Sequence, residues 1–164
     1  MSGHATGDST TGVRDETAFA EFVAEAEPRL QRALVALRGR EDGHDATAEA
    51  LAWAWQNWER VTAMDNPIGY LFRVGQSRSR RRLHGHLEAV DPHGHMPYVE
   101  PGLGPALAEL SVTQRTAVVL VHGCQWTYAE VAEALGISRS SVGTHVTRGM
   151  GRLRAALDTE EPDA

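Results

Sequence analysis

A run of Ser, Thr and Arg between residues 139 and 152 carries side chains of the kinds that contact nucleic acid. Arg can donate paired hydrogen bonds to guanine, and Ser and Thr hydroxyls suit phosphates or base edges. Val142, Val146 and Leu153 recur at helical spacing and should face a core, which leaves the polar residues on the other side. The residues expected to read DNA from this helix are Arg139, Ser140, Ser141, Gly143, Thr144, His145, Arg148 and Arg152.

The segment before this helix supplies the rest of a helix-turn-helix. Thr127 can cap "YAEVAEALG", which ends at Gly136, and Ser138 can cap the polar helix that follows. Small and apolar residues around the glycine turn let two helices cross closely, and such a motif places its second helix in the major groove. Upstream, "TQRTAVVLVHG" can be capped by Ser111 or Thr113 and ends at Gly123. With the segment that begins at Pro105, four short helices are predicted over residues 105–157.

Charge is distributed unevenly along the 164 residues, whose formal net charge is −6. Residues 16–65 hold ten acidic residues against five Arg, whereas residues 66–86 hold five Arg and no acid. Residues 111–157 hold five Arg against two Glu. Two basic segments in an acidic frame are compatible with DNA binding, although the net charge opposes it at long range.

The first half of the chain has the apolar periodicity of three helices. An amphipathic helix from about Glu16 ends near Gly39, and a second runs from Asp42 or Asp45 through "ATAEALAWAWQNWERV". Asn66-Pro67 opens the third, "PIGYLFRVGQSRSRRRLHGH", whose end is wholly basic. Its aromatic residues, Tyr70 and Phe72, could hold a base that is extruded from the duplex, or both could belong to the core. Its arginines could bind the backbone of single-stranded DNA. These arginines are Arg73, Arg78, Arg80, Arg81 and Arg82.

These patterns predict an all-α protein of two small helical domains joined by a flexible linker, the second a four-helix domain with a helix-turn-helix. The expected division is a disordered N-terminus at 1–14, a first domain at 15–86, a Pro- and Gly-broken linker at 87–104, a helix-turn-helix domain at 105–157 and an acidic tail at 158–164.

Several classes of protein are not expected. The sequence has no transmembrane stretch and no signal peptide, so a cytoplasmic protein is predicted. Cys124 is the single cysteine, which excludes an internal disulfide and a Cys-rich zinc site, and it is expected to be buried. Neither a metal nor another cofactor is predicted, because no helical or hairpin frame presents the histidines at 84, 86, 93 and 95. No nucleophile elbow, phosphate loop or zinc-protease motif is present, so no enzyme is expected.

Taken together, both halves resemble a bacterial RNA polymerase sigma factor of the extracytoplasmic-function (ECF) type. The resemblance covers about residues 19–157 and rests on "DGHDATAEALAWAWQNW", on "NPIGYLFRVGQSRSRRRL" and on the helix-turn-helix, in that order. It implies a protein that binds core RNA polymerase and directs promoter binding, melting and transcription initiation. An anti-sigma factor is implied as a further partner, and neither a membrane nor a small-molecule substrate is expected.

The resemblance also assigns roles to residues. Core polymerase would be bound by Asp42, Asp45, Glu49 and Trp55. The minus-ten element would be read by Tyr70, Arg73, Gln76, Ser77, Arg80 and Arg81, and the minus-thirty-five element by the polar helix described first. The chain departs from the family at several of these places, with Ala48 for Gln, Ser77 for Asn and Gly143 for a basic residue. Fewer cations on the reading helix predict weaker or differently specified DNA contacts.

One alternative uses the same helix-turn-helix. A one-component transcription regulator or sigma-like adaptor would bind DNA as a dimer, with the first domain serving dimerisation. The acidic-aromatic helix followed by an Arg-rich helix favours the sigma factor, whereas a symmetric footprint and a stable dimer would favour the regulator. A purely structural helical adaptor would leave the second basic segment unexplained.

Overall fold

The computed structural model describes residues 8–78 and 102–158, with side chains from residue 15 to 77 in the first range. Within these ranges the regular structure is entirely helical, which confirms the predicted fold class. The N-terminal helices are α1 (Asp8–Arg38), α2 (Arg40–Gln56), α3 (Trp58–Thr62) and α4 (Pro67–Arg78). The C-terminal helices are α5 (Leu103–Ala108), α6 (Val112–Val118, continued by a π turn at Val119–Gly123), α7 (Tyr128–Leu135) and α8 (Arg139–Asp158).

Helix α1 ends where the sequence predicts and begins earlier. Gly39 has a φ of 84°, a left-handed conformation that stops the helix at Arg38 and suits glycine. The helix begins at Asp8, so the disorder expected for residues 1–14 is wrong from Asp8 onwards, and residues 1–7 lie outside the described ranges. Each residue added to an established helix gains one backbone hydrogen bond, which accounts for the longer α1.

Helix α2 packs through small residues. Gly43, Ala46 and Ala50 are buried, and a Cβ on Gly43 would lie 2.5 Å from the Cα of Val35 on α1. The helix starts at Arg40, so Asp42 lies in its first turn and neither Asp42 nor Asp45 is the N-cap. The predicted helix through residue 61 is interrupted at Asn57, whose side-chain amide donates to the carbonyl of Trp53 and so ends α2 before α3.

Caps define the C-terminal helices as the sequence predicts. The Ser111 hydroxyl accepts from the backbone N of Gln114, and the Ser138 hydroxyl accepts from the backbone N of Ser141. Thr127 and Glu130 form a reciprocal capping box on α7, which ends at the left-handed Gly136. Cys124 is buried as expected.

Helix α5 begins at Leu103, inside the span expected to be linker. The predicted linker ends too late because Gly104 and Pro105 usually interrupt helices, and the sequence therefore indicates a loop there. Both lie in the first turn of the helix, where a backbone N–H has no intrahelical partner and proline is therefore tolerated.

The two groups of helices pack on each other, chiefly where α4 lies against α7. Leu71 and Phe72 of α4 are fully buried, and the Phe72 ring meets the indole of Trp126 edge to face at 5.4 Å. The buried apolar residues of both groups consequently form one continuous cluster.

Candidate nucleic-acid interface

Helix α8 separates its core side from a polar side as the sequence predicts. Val142, Val146 and Leu153 are buried in the core, with Gly149 against Val118 of α6. The sequence-predicted residues that are exposed are Arg139, Ser140, Thr144, Arg148 and Arg152, whereas Ser141, Gly143 and His145 are half-buried. Most of the predicted reading residues therefore share one accessible face.

Thr147 belongs to this face and was not among the predicted site residues. It is exposed and lies three residues from Thr144 and seven from Ser140, so the three hydroxyls follow one stripe of the helix. Regular helical spacing from Ser140 is the signal that could have identified it.

The hydroxyl groups at the start of α8 are already organised. Ser138 Oγ lies 2.9 Å from Ser140 Oγ and 2.8 Å from Ser141 Oγ, and Thr144 Oγ1 donates to the carbonyl of Ser140. Each hydroxyl retains acceptor capacity toward a ligand. The helix thus presents a fixed cluster of hydroxyls at the end that a helix-turn-helix points toward base edges.

Gly143 leaves a gap on the reading helix that an aromatic side chain borders. A Cβ on Gly143 would lie 3.5 Å from Cε2 of Tyr128, the first residue of α7. Tyr128 is 43% exposed, a large value for an aromatic residue beside a core. Sequence reasoning missed Tyr128, because its proximity to Gly143 arises only when α7 and α8 cross.

Arg152 and His145 are constrained by the fold. Arg152 Nη1 donates to Oε1 of Gln114 on α6 at 3.1 Å, which directs this guanidinium toward its own domain. Nδ1 of His145 is buried and has no hydrogen-bond partner within the described ranges. Arg148 is consequently the predicted cation in the middle of α8 that is exposed and forms no hydrogen bond or ion pair with another described residue.

Helix α4 holds its aromatic and basic residues in a stack. The Tyr70 ring lies 5.2 Å from the Trp53 ring, and the guanidinium groups of Arg60 and Arg73 lie 5.4 and 5.0 Å from the Tyr70 ring centroid. Tyr70 is half-buried, so one part of the ring remains accessible. Phe72 is fully buried, because its ring packs in the core against Trp126. The interpretation that Phe72 helps to hold an extruded base is therefore wrong.

The other predicted minus-ten residues differ in their surroundings. Gln76 is half-buried, and Ser77 is exposed with its hydroxyl donating to the carbonyl of Val74. Arg80 and Arg81 lie outside the described residues, as do the linker histidines and the acidic residues after Asp158.

The exposed side of α2 carries acidic and aromatic residues. Asp45, Glu49 and Trp55 are exposed, Trp55 at 47%, and Asp42 is half-buried at the start of the same helix. The Trp55 ring packs 4.8 Å from Phe19 at the border of an open pocket of about 560 Å³. Tryptophan with one exposed face beside carboxylates is typical of a protein-binding surface.

Ion pairs link the two described parts of the chain. Arg29 Nη2 on α1 lies 2.8 Å from Glu130 Oε1, and Arg73 Nη2 on α4 lies 3.2 Å from Glu133 Oε1. Burial raises the pKa of Glu130, but hydrogen bonds from Thr127 and Arg29 and the charge of Arg29 outweigh it, so its pKa lies below the ordinary 4.5.

The described residues contain no cluster of three or more His, Cys, Asp or Glu side chains that could hold a metal ion. None of the helices in the two described ranges combines the length and apolar character needed to cross a membrane.

Comparisons with known proteins agree with this geometry. The family described as Sigma-70, region 4 matches residues 103–153, the segment that contains α5 to α8. An RNA polymerase sigma-E factor of Streptomyces antibioticus is 33% identical over 135 residues, which are 75% of this chain and 74% of that protein.

Two solved structures share the fold. CnrH, in complex with the cytosolic domain of CnrY, has a TM-score of 0.65 and 21% identity, over 89% of this chain and 91% of that one. RpoE, in complex with the anti-sigma factor NepR from Bartonella quintana, has a TM-score of 0.65 and 22% identity, over 88% and 99%. The fold, the helix-turn-helix and these matches define an RNA polymerase sigma factor. The chain belongs to the sigma-70 family and, within it, to the extracytoplasmic-function type.

Proposed function

We propose that this sigma factor uses three surfaces, one for core RNA polymerase and one for each of two promoter elements. The exposed side of α2, with Asp42, Asp45, Glu49 and Trp55, binds core RNA polymerase. Helix α4 and the basic residues after it read and open the minus-ten element, and the exposed face of α8 reads the minus-thirty-five element. The N-terminal residues 15–86 and the C-terminal residues 105–157 act as the two domains. The protein acts by binding in the cytoplasm and catalyses no reaction of its own.

The single observation that carries the proposal is the face of α8. Ser140, Thr144, Thr147 and Arg148 are exposed together on a helix whose opposite side is core. A helix of this kind, set after a capped helix and a left-handed glycine, is the reading element of a helix-turn-helix. Arg148 supplies a cation that can bind guanine or a phosphate.

The exposed side of α2 supports the polymerase role by its negative charge and its exposed indole. Carboxylates attract a basic partner surface, and an aromatic residue that becomes buried on binding contributes a large share of the affinity of many interfaces. An anti-sigma partner is supported by the similar fold of RpoE, whose structure contains the anti-sigma factor NepR. The one-component regulator is not favoured, because the matches extend over both halves of the chain.

Transcription with sigma-free core RNA polymerase and a mixed promoter library tests the proposal. Asp45→Arg should abolish specific transcripts by weakening the polymerase complex, and Arg148→Ala should reduce them by weakening promoter recognition. The matched controls are Glu27→Arg and Arg32→Ala, which change exposed charges on α1 and should transcribe like the reference protein. DNA bound by a free dimer, with no transcript from any form, would instead establish the regulator.

A further inference from the structure

An opening at Gly143 interrupts the row of side chains on the reading face of α8. Gly143 follows Ser140 by three residues and precedes Thr147 by four, so it lies between these two exposed residues on the same side of the helix. A Cβ at Gly143 would lie 3.5 Å from Cε2 of Tyr128, and within 4 Å it would meet no other described residue outside its own helix. The Tyr128 ring is therefore the one described wall of this opening.

Tyr128 directs the outer end of its ring toward Gly143. Cε2 adjoins the carbon that carries the hydroxyl, so the side chain reaches across α8 with its far edge. The side chain is 43% exposed, and its hydroxyl forms no hydrogen bond with another described residue. The ring consequently offers a carbon edge that the described protein does not cover.

The charges near the opening are compatible with DNA. Glu130 and Glu133 lie on the other side of α7, roughly 140° to 200° around the helix axis from Tyr128, and both pair with arginines of the N-terminal helices. Neither carboxylate therefore opposes DNA at this point. Arg139 is exposed one turn before Gly143, where its guanidinium can bind a neighbouring phosphate.

The chemistry of the opening selects one group of the major groove. Gly143 has no side-chain donor, acceptor or charge, so it cannot form the paired hydrogen bonds by which arginine reads guanine. Thymine differs from the other bases in carrying a C5-methyl group, which proteins read by apolar contact. Without a side chain at residue 143, a base edge can approach the helix, and the Tyr128 ring can cover its methyl group.

We propose that Gly143 and Tyr128 form a subsite for the methyl group of one thymine in the minus-thirty-five element. The subsite rests on the proposed function, because it requires α8 to lie in the major groove of that element. Gly143 contributes by leaving room for the base, and Tyr128 contributes the carbon surface against which the methyl group packs. The two residues together thus determine which base is preferred at one position of the promoter.

A deoxyuridine scan tests the subsite, because deoxyuridine differs from thymidine only in lacking the methyl group. The mixed promoter library first identifies the element that the polymerase complex selects. Each thymine of that element is then replaced singly by deoxyuridine, and the affinity of the polymerase complex is measured by DNA competition. At the thymine that occupies the subsite, the replacement should weaken binding about threefold, which is the effect expected of one buried methyl group.

Gly143→Arg should abolish this ratio of affinities and shift the preferred base at the same position to guanine. The variant should keep the packing of α7 on α8, because a Cβ 3.5 Å from the Tyr128 ring is in ordinary contact. Gly151→Arg is the matched control. It adds the same charge about two turns further along α8, where a Cβ meets nothing within 4 Å, and it should change neither the ratio nor the preferred base.

Two substitutions of Tyr128 separate the ring from its hydroxyl. Tyr128→Phe keeps the carbon edge and should keep the threefold ratio of about the reference size. Tyr128→Ser removes the ring, and serine is accepted in the first turn of a helix, so the variant should fold and lose most of the ratio. A ratio lost equally in both variants would assign the contact to the hydroxyl and overturn the subsite.

Two further results also overturn the subsite. One is equal affinity for thymine and deoxyuridine at every position of the element. The other is a ratio that persists in both Gly143→Arg and Tyr128→Ser, which would place the methyl contact elsewhere on α8. Absence of specific transcripts from the reference protein would reject the proposed function instead, and the same scan on a duplex selected by the free protein would then decide the subsite.

Discussion

Arg29 and Glu130 form a hydrogen-bonded ion pair across 101 residues of sequence, and the same carboxylate completes the capping box of α7. One side chain therefore contributes to the start of a helix and to the contact between the two halves of the chain. Glu25 and Asp65 line the pocket beside this pair together with Arg29, so the guanidinium lies in an acidic part of the surface.

Glu130 should make the stability of the protein depend on pH in the acid range. Its pKa is lower folded than unfolded, so its ionised form adds to the free energy of unfolding above about pH 4.5, and this contribution is lost as the pH falls through the folded pKa. Glu130→Gln retains a side chain that can close the capping box but has no charge. Urea unfolding should show the reference protein more stable than Glu130→Gln at pH 7, with the difference shrinking below pH 4.5. An equal difference at both pH values would contradict this assignment.

Gly43 should be intolerant of alanine, because α1 and α2 approach each other there more closely than a methyl group allows. The Cβ would meet the Cα, N and Cγ2 of Val35 at 2.5 to 2.7 Å, and two of these atoms are backbone. Gly43→Ala should lower the free energy of unfolding by about 1 to 3 kcal/mol, despite the better helix propensity of alanine. Denaturant titration checks this, with Gly104→Ala as a variant that should lose no stability. Equal free energies of unfolding for Gly43→Ala and Gly104→Ala would contradict this prediction. They would show that α1 can shift to accommodate the methyl group without loss of stability.

Cys124 should react slowly with thiol reagents while the protein is folded. Burial raises the pKa of the Cys124 thiol to about 11, and the opposing charge of Arg32 offsets this only in part. Little thiolate is present at pH 7.5, and the sulfur is also shielded from solvent. Reaction with a chromogenic disulfide should therefore be at least about tenfold faster in denaturant than in buffer. Equal rates would place the sulfur at the surface.

The sequence predicts much of this fold, because the deciding signals are local. Thr127 with Glu130, Gly136 and Ser138 mark the ends of α7 and α8, and the apolar spacing along α8 correctly identifies its core side. The prediction of Asp42 or Asp45 as a cap is wrong, because Gly39 ends α1 and α2 begins at Arg40.

Relationships between distant residues could not be predicted in the same way. The proximity of Tyr128 to Gly143 and of Gly69 to Glu130 depends on how two helices cross, and no spacing within either helix encodes the crossing. Burial of Phe72 has the same origin, because its ring is covered by Trp126 from the other half of the chain.

Thr147 should contribute to recognition of the minus-thirty-five element. Its hydroxyl lies on the exposed stripe with Ser140 and Thr144, where it can donate to a phosphate or a base edge. Loss of one such hydrogen bond is worth about 1 kcal/mol, so Thr147→Ala should reduce the affinity of the polymerase complex for a promoter roughly fivefold. Thr62→Ala removes an exposed helical threonine whose hydroxyl bonds to Glu59, and it should bind as the reference does. Because the Thr147 hydroxyl forms no hydrogen bond within the described residues, Thr147→Ala should keep the reference stability. If Thr147→Ala binds the promoter as well as Thr62→Ala does, Thr147 does not contact the DNA. Recognition by α8 would then depend on Ser140, Thr144 and Arg148.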